Sequence, residues 1–235
     1  MNLVDPLNPP EGGLNLAGVS THSFRMGLGG GPALVVINDG PNTPRDNMEK
    51  DYELFHEIES GSKKIYLRFY SWNIPCVTYG ANQKVADVRK IIENMKGESN
   101  NLELVKRPTG GGLVIHNPDC ITYSLIISNQ VLQKNIGLLD SYYQISGLVS
   151  QCLNSMGIDS KLHKSSVKDF RDKRINPVCE DFPAKYEIML NDKKIVGSAQ
   201  KKGRKSLLQQ TQIFIKLHKH VFQEEFEQSI RDWLS

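Results

Sequence analysis

Apolar runs too short to be helices recur along this chain, and the amphipathic stretches between them are spaced too irregularly for a repeating βαβ unit. Ala33 to Ile37, Lys64 to Tyr70, Cys76 to Tyr79, Leu102 to Val105, Leu113 to His116, Ile121 to Ile127 and Ser206 to Lys216 read as strands. Helical spacing governs four other stretches. The first runs from Asp46, the expected N-cap, to Glu59, with Met48, Tyr52, Phe55 and Ile58 on one face. The others run from about Gln83 to Met95, Gly137 to Met156 and Val221 to Leu234. Asn38-Asp39-Gly40 is expected to turn the chain after the first strand. Asn191-Asp192 is expected to close a hairpin between Tyr186–Leu190 and Lys194–Val196. Interleaved elements with several hairpin links predict an α+β fold: a mixed, largely antiparallel sheet with flanking helices.

Composition narrows the class. Of 235 residues, 39% are hydrophobic and 23% charged, the balance of an ordinary globular chain. No apolar run approaches the ~20 residues that span a bilayer, and the N-terminus shows no basic-then-apolar leader, so a cytoplasmic location without membrane attachment is expected. A formal charge of +3 is too weak to argue for nucleic acid. The cations are nevertheless clustered, at Lys161, Lys164, Lys168, Arg171, Lys173 and Arg174, and again at Lys193, Lys194, Lys201, Lys202, Arg204 and Lys205. Such clusters are solvated faces or surfaces that steer an acidic protein. Residues 1–32, rich in Pro and Gly, read as a partly irregular N-terminal extension, and 33–235 as a single domain. The four cysteines contain no CxxC pair, and no metal site is expected. Cys76, Cys120 and Cys152 lie in apolar surroundings and read as small buried hydrophobes. Cys179 stands apart, between Pro177 and Glu180-Asp181, after a basic run that can lower a thiol pKa.

Three segments can carry chemistry. In Arg107-Pro108-Thr109-Gly110-Gly111-Gly112, three glycines remove every Cβ from a connection between two strands, so backbone can approach an anion or acyl chain closely, with Arg107 as a neighbouring cation. A tight hairpin with a bulge is the other reading of the same residues. In Lys194-Ile195-Val196-Gly197-Ser198-Ala199-Gln200, a lysine enters a strand whose small residues leave room for a ligand; a surface lysine in a hairpin fits equally. In Cys179-Glu180-Asp181-Phe182-Pro183-Ala184-Lys185-Tyr186-Glu187, a lone thiol can act as nucleophile.

Together these segments resemble the lipoate-protein ligase and lipoyl/octanoyltransferase family, which shares its catalytic fold with biotin-protein ligases. The resemblance extends from about Ala33 to Ile215. It includes Asn47-Met48, the block Arg68-Phe69-Tyr70-Ser71-Trp72 with Pro75 and Gly80-Ala81-Asn82-Gln83, the signature Arg107 to Gly112 with His116 and Tyr123-Ser124, and the lysine strand from Lys194 to Gln200. It implies a biotin/lipoate protein ligase-like domain that attaches a lipoyl or octanoyl group, as an amide, to one lysine of a lipoyl domain of a 2-oxoacid dehydrogenase or of the glycine cleavage H protein. It assigns acyl binding to Arg107, Gly110, Gly111, Gly112, His116, Gly197, Ser198 and Ala199, and catalysis to Lys194.

Cys179, Pro183, Tyr186 and Glu187 are similar to the Cys-x-x-x-Pro-x-x-Tyr-Glu pattern of the cysteine-dependent octanoyltransferases. That likeness implies a Cys179 thioester, acyl carrier protein as a donor and no cofactor. The ATP-dependent ligases of the family instead use ATP and Mg to make an acyl-adenylate. A non-catalytic paralogue that binds acyl groups or lipoyl domains is a further alternative; biotin ligation is argued against by the Arg107–Gly112 signature. Where relatives usually carry Gln-His-Gly, this chain has Gln209-Gln210-Thr211, and Lys106 stands where arginine is common. No C-terminal accessory domain of the kind many ligases carry is expected.

Overall fold

The computed structural model describes residues 20–25, 32–95, 102–132, 137–164 and 185–235. Cys179, the glycine run at 27–31, Gly97 and most of the first basic cluster lie outside the described residues.

A large sheet of eight strands forms the centre. In spatial order these are β1 (Ser20–Arg25), β2 (Ala33–Asn42), β3 (Lys64–Trp72), β7 (Ile121–Ser128), β11 (Ser206–Ile213), β10 (Lys193–Lys202), β9 (Ile188–Leu190) and β8 (Lys161–Leu162). Every pairing is antiparallel except β2 with β3, whose crossover is α1 (Pro44–Glu59). A second sheet carries β5 (Glu103–Lys106), β4 (Cys76–Tyr79) and β6 (Val114–His116), in that order. The remaining helices are α2 (Val85–Asn94), α3 (Leu138–Ser155) and α4 (Lys219–Leu234).

Period-two alternation divides the large sheet into two chemistries. On one face Leu67, Phe69, Tyr123, Leu125, Leu207 and Ile213 meet Ile145, Val149 and Leu153 of α3 and Phe222, Phe226 and Ile230 of α4. On the other, Tyr66, Ile126 and Leu208 meet Leu54, Phe55 and Ile58 of α1. Further along that face, Tyr70 and Trp72 pack with Met48 and Cys76, bringing the small sheet over the large one. The tail helix packs through its expected apolar stripe.

Most local signals hold. Asn191 and Asp192 both take positive φ, 47° and 62°, and close the β9–β10 hairpin as expected. The cap of α1 is Thr43, not Asp46: the Asp46 amide donates to Thr43 Oγ1 at 3.1 Å, and Pro44 opens the helix. Asn38-Asp39-Gly40 does not turn the chain; β2 continues to Asn42 through a bulge between Asn38 and Pro41. A strand, β1, precedes Ala33 and pairs with β2. Cys76 and Cys152 are buried as expected, whereas Cys120 is only partly so.

Candidate active site

The glycine connection is not a hairpin. β5 and β6 each pair with β4 and not with one another, so residues 107–113 bridge across the end of that strand. This removes the tight-hairpin reading. Arg107, 4% exposed, turns its guanidinium into the connection. Its Nη2 donates to the carbonyls of Gly110 (2.5 Å) and Gly112 (2.6 Å), Nε to Thr109 Oγ1 (3.1 Å) and Nη1 to the Thr78 carbonyl (3.3 Å). The cation therefore acts on the shape of the connection. Gly111 sits at φ +92°, where an L side chain is strained, and a Cβ there would lie 2.9 Å from Arg107 Nη2. Gly80, after β4, is equally constrained: a Cβ would meet the Gly111 carbonyl oxygen at 2.2 Å. Gly80→Ala is expected to displace the connection and destabilise the protein by about 1–3 kcal/mol, measurable by thermal unfolding.

His116 ends β6 under this connection. Its ring stacks on Trp72, with centroids 4.2 Å apart, and Nε2 lies 2.8 Å from Thr78 Oγ1. Trp72 in turn donates from Nε1 to Thr122 Oγ1 at 3.0 Å. Burial, then the nearby Arg107 charge, hold the imidazole pKa down to about 3, against a smaller opposing contribution from Gln212. His116 is thus a neutral group at physiological pH, not an imidazolium acid. Its folded pKa lies below the ordinary 6.5, so the stability it contributes is complete above pH 6.5 and is lost as pH falls from there towards 3. Its NMR ring signals are expected not to titrate between pH 8 and about 5; a midpoint near 6.5 would contradict this environment.

Lys194 enters β10 at a bulge and is buried against Glu187: Nζ donates to Oε1 at 2.8 Å, with the side chains 1% and 5% exposed. It is not a surface lysine. The room expected beside Gly197 is already taken, since a Cβ there would lie 2.9 Å from the Phe214 ring and 3.3 Å from Lys194 Cε. The missing Cβ lets the lysine stem and the aromatic ring pack against the strand. Ser198 is carried to the opposite face by strand alternation, where its Oγ lies 3.0 Å from Thr211 Oγ1 and its carbonyl accepts from Tyr142 of α3. It does not converge with the glycine connection, whereas Gly197 and Ala199 share the face of Gln210 and Gln212 by register.

The residues that join these pieces come from other elements, several of them within the other blocks of the resemblance. Gln212 Nε2 donates to the Ile115 carbonyl at 3.1 Å, fastening the small sheet to β11. Thr109 Oγ1 donates to Gln210 Oε1 at 2.7 Å, and Gln210 Nε2 donates to Asp51 Oδ2 at 2.8 Å. Asp51 also accepts from Arg68 Nη1 (2.7 Å), Ser124 Oγ (2.6 Å) and Tyr70 OH (3.2 Å). Arg68 continues to Asp39, 2.9 Å away, and to Asn47 Oδ1 at 2.6 Å. One signal could have found this network: an arginine in the middle of the apolar run Ile65 to Tyr70 requires buried acidic partners. Two lysines of the second basic cluster turn inward, while Lys193, Lys202, Arg204 and Lys205 are exposed. Lys194 is internal, Lys201 lies over the Tyr52 and Phe55 rings, and Glu59 accepts from the amides of Arg204 and Lys205.

The model of the lipoyl protein ligase A/B catalytic domain matches residues 43–231, which includes α1, the small sheet, the large sheet from β3 onward and the glycine connection. The chain belongs to this family. The octanoyltransferase LipM of Oceanobacillus iheyensis is 33% identical over 190 residues, covering 79% of this chain and 66% of that protein. The octanoyltransferase LipM of Halalkalibacterium halodurans is 30% identical over 182 residues, covering 76% and 64%. The chain therefore spans just under two thirds of the length of these curated relatives. Protein Ta0514 of T. acidophilum superposes with a TM-score of 0.66 at 19% identity, covering 87% of this chain and 85% of that one. A lipoate-protein ligase A bound with ATP gives 0.62 at 18%, covering 87% and 85%. These structures share the fold, so the α+β architecture expected of a lipoate protein ligase-like domain is the one observed.

Proposed function

We propose that this chain attaches an octanoyl or lipoyl group, in amide linkage, to the lysine of a lipoyl domain, through a thioester on Cys179. The carrying observation is the buried Lys194–Glu187 pair. Glu187 is the last residue of the segment that begins at Cys179, and its carboxylate fixes the lysine of the lysine strand. The likeness to the LipM octanoyltransferases supports the same reading.

In the proposed reaction the Cys179 thiolate attacks the thioester carbonyl of an acyl carrier protein, and the carrier thiol leaves. The ε-amine of the target lysine then attacks the enzyme thioester, forming the amide and returning the thiol. Both steps pass through an oxyanion, and the Lys194 ammonium, held by Glu187, is the donor assigned to it. Residues 33–235 would act as one catalytic unit, with the lipoyl domain as recipient and without ATP. No helix among the described residues is long and apolar enough to cross a membrane.

The test is incubation with octanoyl-acyl carrier protein and a lipoyl domain, without ATP, followed by intact-protein mass spectrometry. A hydroxylamine-labile octanoyl adduct on this chain and a stable one on the lipoyl domain are expected. Modification only with lipoate and ATP would make the protein a ligase, and binding without modification under either condition would make it a non-catalytic paralogue. Lys194→Ala is expected to reduce acyl transfer by about 10²–10³-fold in kcat, and unchanged single-turnover rates would remove Lys194 from the chemistry.

A further inference from the structure

We propose that Gln210 is a positioning residue for acyl transfer: its amide is a strut that does not titrate and that holds the glycine connection over the large sheet. The catalytic consequence rests on the acyltransferase reading; the placement of the connection does not. Arg107 sets the shape of the connection, through Gly110 and Gly112, and ties it to Thr78 of β4, but those partners all lie in the connection or the small sheet and do not fix where it sits over the large sheet. Gln210 stands in the middle of β11, between Ala199 of β10 and Ser124 of β7. It belongs to the rigid sheet.

The bonds form a chain with one direction. Arg107 Nε donates to Thr109 Oγ1, which leaves the threonine proton for Gln210 Oε1 at 2.7 Å; Gln210 Nε2 then donates to Asp51 Oδ2 at 2.8 Å. A cation stands at one end and a carboxylate at the other, so each bond polarises the next. The amide orientation is fixed, because a flipped Gln210 would set its carbonyl oxygen against the carboxylate. The charged and titratable groups around it are Asp51 from α1, Arg68 and Tyr70 from β3, and Arg107 of the connection; His116 of β6 reaches this layer through Thr78 and is neutral. A neutral imidazole offers one acceptor and one donor, as an amide does. The amide offers them at every pH.

Gln210→Glu tests this, because it preserves shape and changes only protonation. Ionised, the introduced carboxylate would have no proton for Asp51 and would oppose its charge; protonated, it would donate to Asp51 and accept from Thr109. Burial and the Asp51 charge push its pKa up, towards neutrality. Backbone amide hydrogen exchange at Ala81, whose N–H donates to the Thr109 carbonyl at 2.8 Å, measured without substrate and corrected for the intrinsic pH dependence, reads the placement directly. Native protection is expected to be flat between about pH 5.5 and 8. Gln210→Glu is expected to lose protection about tenfold at pH 8 and to recover it as pH falls, with kcat for octanoyl transfer following the same profile and KM for the lipoyl domain changing little. Gln210→Met, which fills the space without hydrogen bonds, is expected to lose protection at every pH, and Gln210→His to retain it. Native protection in Gln210→Met, or a flat profile in Gln210→Glu, would overturn the proposal. If Gln210→Glu does not fold at pH 8, Thr109→Val, which removes the same link from the other side, decides the matter by the same exchange measurement: lost protection supports the strut and native protection overturns it. Absence of octanoyl transfer by the native protein would defeat the acyltransferase reading while leaving the exchange result to decide the role of Gln210.

Discussion

Cys179→Ala is expected to leave the protein unable to take up an octanoyl group from acyl carrier protein, with transfer to a lipoyl domain falling to background. Covalent catalysis requires a thiolate that solvent-borne donors can reach. The other three thiols are poorly suited to replace it. Burial pushes the Cys76 thiol well above its ordinary value and the Cys152 thiol up to about 12, with nearby Glu103 and Glu225, respectively, acting in the same direction. Cys120 is half-buried, and its sulfur accepts from the Asn117 amide and from Gln212 Nε2, both at 3.4 Å, in a turn that braces the two sheets. Cys120→Ala is accordingly expected to retain the adduct. Thioester formation in Cys179→Ala, or its loss in Cys120→Ala, would move the nucleophile elsewhere.

Arg68→Met is expected to be the most damaging single change to stability, at about 3–5 kcal/mol, a large part of the roughly 5–15 kcal/mol that holds a typical domain together. Arg68 is 1% exposed, and it faces Asp51 at 0% and Asp39 at 5%. Methionine fills the volume of the stem but leaves both carboxylates without their shared cation. Asp39 keeps Lys50, 3.0 Å away, and Asp51 keeps only the neutral donors Ser124, Tyr70 and Gln210. Burial by itself would raise the Asp39 pKa, but the Arg68 charge, with bonds from Asn42, Lys50 and Arg68, outweighs it and holds the carboxyl below its ordinary value. A depressed folded pKa means that Asp39 contributes stability above its unfolded pKa, near about 3.9, which is lost as pH falls through the folded value. In Arg68→Met the Asp39 carboxyl loses the Arg68 charge while its burial remains, so its pKa rises and protonation costs it less, and the stability gap to the native protein should narrow between pH 7 and about 4.5. Denaturant unfolding at the two pH values measures this. A loss below about 1 kcal/mol at neutral pH, or a gap that widens on acidification, would contradict the account.

Elements whose signals are local were legible in the sequence. The apolar spacing of Met48, Tyr52, Phe55 and Ile58 placed α1, and Phe222, Phe226 and Ile230 placed the buried stripe of α4, because helical period is written into local order. The Asn191-Asp192 turn was equally local, since residues that tolerate positive φ declare themselves. The Asn38–Gly40 segment misled for a physical reason. Its turn residues are held extended by Asp39, whose partner Arg68 lies 29 positions away on the adjacent strand.

The site divides along the same line. The residues from Arg107 to Gly112 and from Lys194 to Ala199 stood out because their types are unusual beside strands, and the resemblance to a lipoyl-transferring family followed from their order along the chain. Their roles in space did not follow. β4 lies between β5 and β6, so the connection is a bridge and not a hairpin; Ser198 faces α3; and Trp72, Thr78 and Gln210 enter the site from three different strands, with Glu187 from the segment just before β9. The sequence by itself determined most of the elements, the buried faces of the helices and the family, because these depend on period, turn chemistry and residue type over short spans. Only the tertiary structure decided which polar groups meet, because a buried hydrogen bond such as that from Thr109 to Gln210 joins positions 101 residues apart and leaves no local trace.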